Sequence, residues 1–149
     1  MSADPQLHAV KYAFDAAFQR LCEADGDDPM MAEISNLLHH LYRLRELCFD
    51  RLASFGQTER SAPDLRAARG ASWARNADTH QLFRLASGLE AVYSGFYMAR
   101  YGVPVWVPRV SVPQAPDNQD RYVDYQVELE GKAIPDTLRF AFDALAALL

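Results

Sequence analysis

Between Met30 and Phe55, apolar residues recur at Met30, Ile34, Leu37, Leu38, Leu41, Leu44, Cys48, Leu52 and Phe55. Steps of three and four place all of them on one face of an α-helix. The run spans about seven turns, and a stripe that long must be buried against other elements. A chain built around it is therefore a helical bundle before any other residue is read. Asp28-Pro29 supplies the start signal, a capping carboxylate followed by a residue with no N–H to satisfy. Gly56 supplies the stop.

The rest of the chain offers partners for that stripe. Asp4-Pro5 opens a first helix with Leu7, Val10, Phe14, Phe18 and Leu21 on one face, and ADGDD (24–28) stops it. Residues 56–74 read as a connection with room for a short helix at Pro63–Arg69. Asp78 and Gln81 have the spacing of an N-cap and its N3 partner. They predict a third helix running to about Tyr101 through Leu82, Leu85, Leu89, Val92, Phe96 and Tyr97, stopped by Gly102. The period then changes. Val103, Val105 and Val107 alternate, as do Val110 and Val112, while Pro104, Pro108 and Pro113 limit this stretch to an edge or irregular strand. PQAPDNQD is a loop. Val123, Tyr125, Val127 and Leu129 alternate with polar residues, the pattern of a half-exposed strand. Pro135 opens a last helix carrying Leu138, Phe142, Leu145 and Leu149. The expected fold is mostly α: a four-helix-type bundle in a single domain, 1–149, with a β-hairpin inserted at about 103–130 before the last helix. Two strands alone are marginal, so the hairpin must pack on the bundle or on a partner.

A chain of 149 residues, half of them hydrophobic, can bury a core without disulfides or metal. Cys22 and Cys48 both fall in helical apolar patterns and read as small buried hydrophobes of a reducing compartment. MSADPQLHAV has no apolar core behind basic residues, so no secretory leader is expected, and no apolar run is long enough to span a bilayer. A cytoplasmic protein without a membrane or DNA partner follows as the expectation. The net charge of −5 argues against binding nucleic acid by bulk charge. Residues 60–84 differ: Arg60, Arg66, Arg69, Arg75 and Arg84 stand against Asp64 and Asp78, a local net of +3. Arginine presents a fork of donors that fits phosphate oxygens. The plainer account is that arginine outnumbers lysine throughout the chain, 13 to 2.

That basic stretch contains RNADTH, residues 75–80. On a continuous helix, positions 75 and 80 diverge by about 140° and rise about 7.5 Å. At a helix start capped by Asp78 they can converge, and the free N–H groups and positive dipole end there favour an anion. Arg75 would then clamp a phosphate, with His80 as proton donor or acceptor.

Arg-Asn-x-x-x-His near a helix start in a small helical bundle resembles the motif of HEPN-domain ribonucleases, in which the residue after the arginine is usually Asn, Asp or His. The resemblance covers six residues and the coarse helix pattern. It implies a bundle of about four helices, usually dimeric, in which the motifs of two protomers share a cleft and cut RNA without metal or other cofactor. Arg75 would stabilise charge on the phosphoryl group. His80 would assist the 2′-OH or protonate the leaving oxygen, and Asn76 would orient backbone or phosphate. Many relatives are toxins with antitoxin partners or effectors of phage defence. The hairpin would be an insertion in the minimal family fold. Around the motif, Arg66, Arg69, Trp73 and Arg84 are the candidate substrate contacts, the arginines for phosphates and Trp73 as a face for a base. Trp73 as a core anchor explains the same residue.

Other residues point less sharply. His39 and His40 are neighbours on a helix and point about 100° apart, so they do not face one metal. Tyr93, Tyr97 and Tyr101 follow a four-residue step that suits a core or a dimer interface. Two rival readings fit the same sequence: a non-catalytic helical interaction subunit using 56–74 to bind protein, and a module in which Arg75 and His80 hold a nucleotide without cutting it.

Overall fold

A computed structural model describes residues 4–80, 91–93, 97–100, 103–107 and 119–149; the side chains of 27, 76–80, 91–93, 97–100, 103 and 119–122 lie outside that description. The elements are α1 (Pro5–Glu23), α2 (Asp27–Arg51), α3 (Phe55–Ser61), a 3-10 turn (Pro63–Leu65), α4 (Arg66–His80), β1 (Ala91–Tyr93), β2 (Tyr97–Arg100), β3 (Val103–Trp106), α5 (Gln119–Glu128) and α6 (Ile134–Ala146). The fold is the expected mostly helical bundle with a small β insert, which precedes the last two helices rather than the last one alone. No helix among the described residues is long and apolar enough to cross a membrane.

α2 is the central helix and packs on α1, α4 and α6. Its stripe is buried at Ile34, Leu37, Leu38, Leu41, Leu44 and Cys48. α1 begins as its sequence requires: the Asp4 carboxylate accepts from the amides of Gln6 (3.0 Å) and Leu7 (3.3 Å). Arg51, at the far end of α2, also donates to that carboxylate, which ties the two helices end to end. Phe14 stacks on Phe142 of α6, with centroids 3.8 Å apart. The Arg139 guanidinium lies 4.4 Å from the Phe18 ring centroid and donates to Asp15 at 2.8 Å.

Four expectations are corrected. Gly56 does not end the second helix: that helix stops at Arg51, and Gly56 lies inside α3. Residues 66–80 form one continuous helix, so Asp78 is no N-cap. The expected third helix, 78–101, is not formed as such. Its last eleven residues include strands β1 and β2, and 81–90 lie outside the described residues. The strand expected at 123–129 falls mostly in helix α5, so the β insert occupies 91–106 rather than 103–130. The three strands form an antiparallel sheet in the order β1-β2-β3, with Tyr93 opposite Tyr97 and Arg100 opposite Val103.

The insert docks on the bundle through β3. The Trp106 amide donates to the Lys132 carbonyl at 3.1 Å, and the Gly131 amide donates back to the Trp106 carbonyl at 2.8 Å. Gly131, at φ +75°, turns the chain between α5 and α6 for that exchange. The Trp106 indole donates to Thr137 Oγ1 at 2.7 Å, and the Tyr125 hydroxyl donates to the Val107 carbonyl at 2.7 Å.

α4 and α5 approach closely at Gly70. A Cβ there would stand 2.9 Å from the Tyr125 nitrogen and 3.0 Å from its Cα, backbone atoms that cannot step aside alone. Gly70→Ala gains about 1 kcal/mol of helix propensity. Forcing the helices apart costs about 1–3 kcal/mol. We expect net destabilisation, read as a fall in melting temperature of a few degrees; a rise would mean the helices do not touch at this point.

Candidate functional site

RNADTH occupies the last six residues of α4. On this helix positions 75 and 80 sit about 140° apart around the axis. Within one chain the expected convergence at a helix start is therefore lost, and so is the argument from free N–H groups, because the C-terminal end of a helix favours cations rather than anions. Arg75 is half-buried, and its guanidinium lies 4.0 Å from the centroid of the Tyr42 ring on α2. Asn76 and His80 belong to the α4 backbone, but their side chains lie outside the described residues, and Arg84 lies outside them altogether.

Trp73 is a core residue. It is 2% exposed and packs against Tyr125, with centroids 4.8 Å apart, so its ring offers no face to a base. A helix of small residues (Ala67, Ala68, Ala71 and Ala74 are buried) needs one large side chain to fill the space towards α5, and Trp73 fills it.

Arg66 and Arg69 do share a site, though not one that includes Arg75. They line a cleft of about 700 Å³ together with Arg45 and Phe49 from α2, Gly56, Glu59 and Arg60 from α3, and Val123, Asp124 and Val127 from α5. Its floor is two ion pairs. Arg45 grips Glu59 with two nitrogens, at 2.5 and 2.7 Å; the side chains are 12% and 6% exposed. Arg69 donates to Asp124 at 2.8 Å, and its other nitrogen reaches the carbonyls of Glu59 and of Ala62 (3.2 Å). One guanidinium thus joins α4 to α5 and to the end of α3. Arg69 is structural in this role, whereas Arg66 is exposed at the rim.

Sequence reasoning missed most of this cleft. Neither Arg45 nor Phe49 stands out in the sequence, and Asp124 falls within an expected strand that forms helix α5 instead. The i, i+4 spacing of Arg45 and Phe49, which brings the guanidinium to 4.8 Å from the Phe49 ring centroid, was the one available signal.

The cysteines separate. Cys48 is buried, but Cys22 is exposed on α1, contrary to the expectation for both. Burial, and then the nearby Glu59 carboxylate, push the Cys48 thiol up to about 11 against the lesser opposing effect of Arg45. Its Sγ approaches the Leu145 carbonyl at 3.8 Å. About one Cys48 in a thousand would be thiolate at a pH three units below that value. A thiol reagent at mild alkaline pH should label Cys22 and leave Cys48 unmodified until the protein is denatured; mass spectrometry of labelled peptides checks it, and equal labelling in the native state would contradict the burial.

His39 and His40 lie with ring centroids 5.6 Å apart at 62°. Burial first, then the neighbouring His39 and Arg43, lower the His40 pKa below the ordinary histidine value. Among the described residues, no three His, Cys, Asp or Glu side chains come together as a metal-binding group. Comparison with protein-family models, with curated proteins and with solved structures finds no match.

Proposed function

We propose that the chain is a metal-independent endoribonuclease of the HEPN type, working in the cytoplasm as a homodimer. The observation that carries this reading is RNADTH itself, an arginine and a histidine at the family spacing in a mostly helical bundle. Because positions 75 and 80 diverge along one helix, the reading requires the site to be composite: Arg75 of one copy faces His80 of the other across a two-fold axis. Arg75 neutralises charge on the scissile phosphate, and its stacking on Tyr42 holds the guanidinium in a fixed orientation. His80 moves the proton between the 2′-OH or leaving oxygen and solvent. Asn76 orients the phosphate. RNA and a second copy are then the partners, with an antitoxin or another defence-system protein as regulator.

The test is cleavage of labelled RNA by the purified protein in EDTA. Products should carry a 2′,3′-cyclic phosphate or its hydrolysis product. Loss of cleavage on chelation, restored by Mg²⁺ or Mn²⁺, would overturn the mechanism. A second reading, a non-catalytic helical interaction module, is favoured by one specific observation: α4 runs uninterrupted through the motif. It is the reading left standing if no RNA is cut by the dimeric protein.

A further inference from the structure

We propose that the cleft between α2, α3, α4 and α5 binds a small organic phosphate, a phosphomonoester dianion carried on an apolar or aromatic body. A cleft of about 700 Å³ has the size of a small-molecule site. Its charges sort into two layers. Arg45 and Arg69 on the floor are committed to Glu59 and Asp124. Arg60 and Arg66 line the same cleft, are exposed, and make no ion pair or hydrogen bond to any described residue. Once the floor is neutralised, two unmatched guanidinium groups are left facing one space. Each is a fork suited to a pair of phosphate oxygens.

The number of unmatched charges selects the ligand. A carboxylate or a phosphodiester brings one negative charge and would leave one arginine unanswered. A phosphomonoester brings up to about two at neutral pH. The wall beside the arginines is apolar and open. Phe49, Val123 and Val127 are 43%, 48% and 59% exposed, three of the six large hydrophobics exposed among the described residues, and all three line this cleft. Apolar surface gathered next to unpaired cations fits a ligand with one charged end and one greasy end. The site differs from RNADTH in position and in the charge it requires, so it does not depend on the ribonuclease reading.

The experiment is calorimetric titration of the full chain at about pH 8, where a phosphomonoester with its second pKa of about 6 is dianionic. Three probes are compared: phenyl phosphate, inorganic phosphate and methyl phenyl phosphate. Phenyl phosphate should bind at least about tenfold more tightly than either of the others, since inorganic phosphate lacks the apolar body and the diester lacks the second charge. Arg66→Gln and Arg60→Gln should each weaken phenyl phosphate about tenfold or more with an unchanged melting temperature, because neither side chain holds the fold together. Val127→Asn, on the exposed wall, removes apolar surface without adding charge, and should weaken phenyl phosphate and leave inorganic phosphate almost unaffected. Absence of phenyl phosphate binding at millimolar concentration, equal binding of all three probes, or full binding by the Arg60 and Arg66 variants would each overturn the proposal.

Discussion

Replacing Arg45 by methionine is expected to lower the unfolding free energy by about 3–5 kcal/mol, a large fraction of a small domain's stability. Methionine keeps most of the stem that packs along α2, so the loss isolates the charge. Glu59 is left nearly buried without the fork that now meets both its oxygens. The Arg69 guanidinium reaches the Glu59 carbonyl rather than its carboxylate. Replacing both partners, Arg45→Met with Glu59→Met, should recover much of the loss, because a buried ion pair is worth far less than the cost of orphaning one member. Denaturant midpoints of the two single variants and the double variant check this. A single variant within about 0.5 kcal/mol of the parent would show that the pair is solvated, as surface pairs are.

The second large effect follows from the proposed ribonuclease reading. His80→Ala and Arg75→Ala should each reduce the rate by about 10²–10⁴-fold, the usual loss for a positioned acid or base and for a charge that meets the phosphoryl group. Arg75→Ala also gives up its stacking on Tyr42, worth about 1 kcal/mol of stability. Arg75→Lys separates the two contributions: it keeps the charge and loses the fork. Mixing the two alanine variants is the sharper measurement. In a heterodimer one composite site lacks both groups and the other retains both. Random pairing should therefore restore about a quarter of the parent's activity. A mixture as inactive as its components would sink the composite site, and so would an active protein with the mass of one 16.8 kDa chain.

The helices that were legible are those with large apolar residues on one face. Val10, Phe14 and Leu21, Ile34 to Cys48, and Leu138, Phe142 and Leu145 all occupy the core their spacing assigns them. α4 was nearly invisible because its buried face is mostly alanine, which helices and connections carry alike. Two errors of period have a common origin. Tyr93 and Tyr97 are four apart, which reads as one helical face, yet they are partners across the β1–β2 hairpin. Val123, Tyr125, Val127 and Leu129 alternate like a strand, but they are two i, i+4 pairs along α5 and the residue that follows it. Tyr125 and Leu129 face the core, while Val123 and Val127 stand in the cleft. An exposed apolar pair on a second face added to a buried one gives a period of two. The cleft escaped notice for a different reason: its contacts join residues 14 and 55 positions apart, and no local pattern encodes such distances.

The exchange of amides between Trp106 and the turn at 131–132, reinforced from Tyr125 and Thr137, places the end of the insert inside the same network as the last two helices. An edge strand normally opens alone and at low cost. Here, opening β3 must also release the indole from α6 and the Tyr125 hydroxyl from Val107, so the strand and the α5–α6 corner behave as one cooperative unit. The side of α5 that presents Val123, Asp124 and Val127 to the cleft is held from behind by a piece of chain that never enters it.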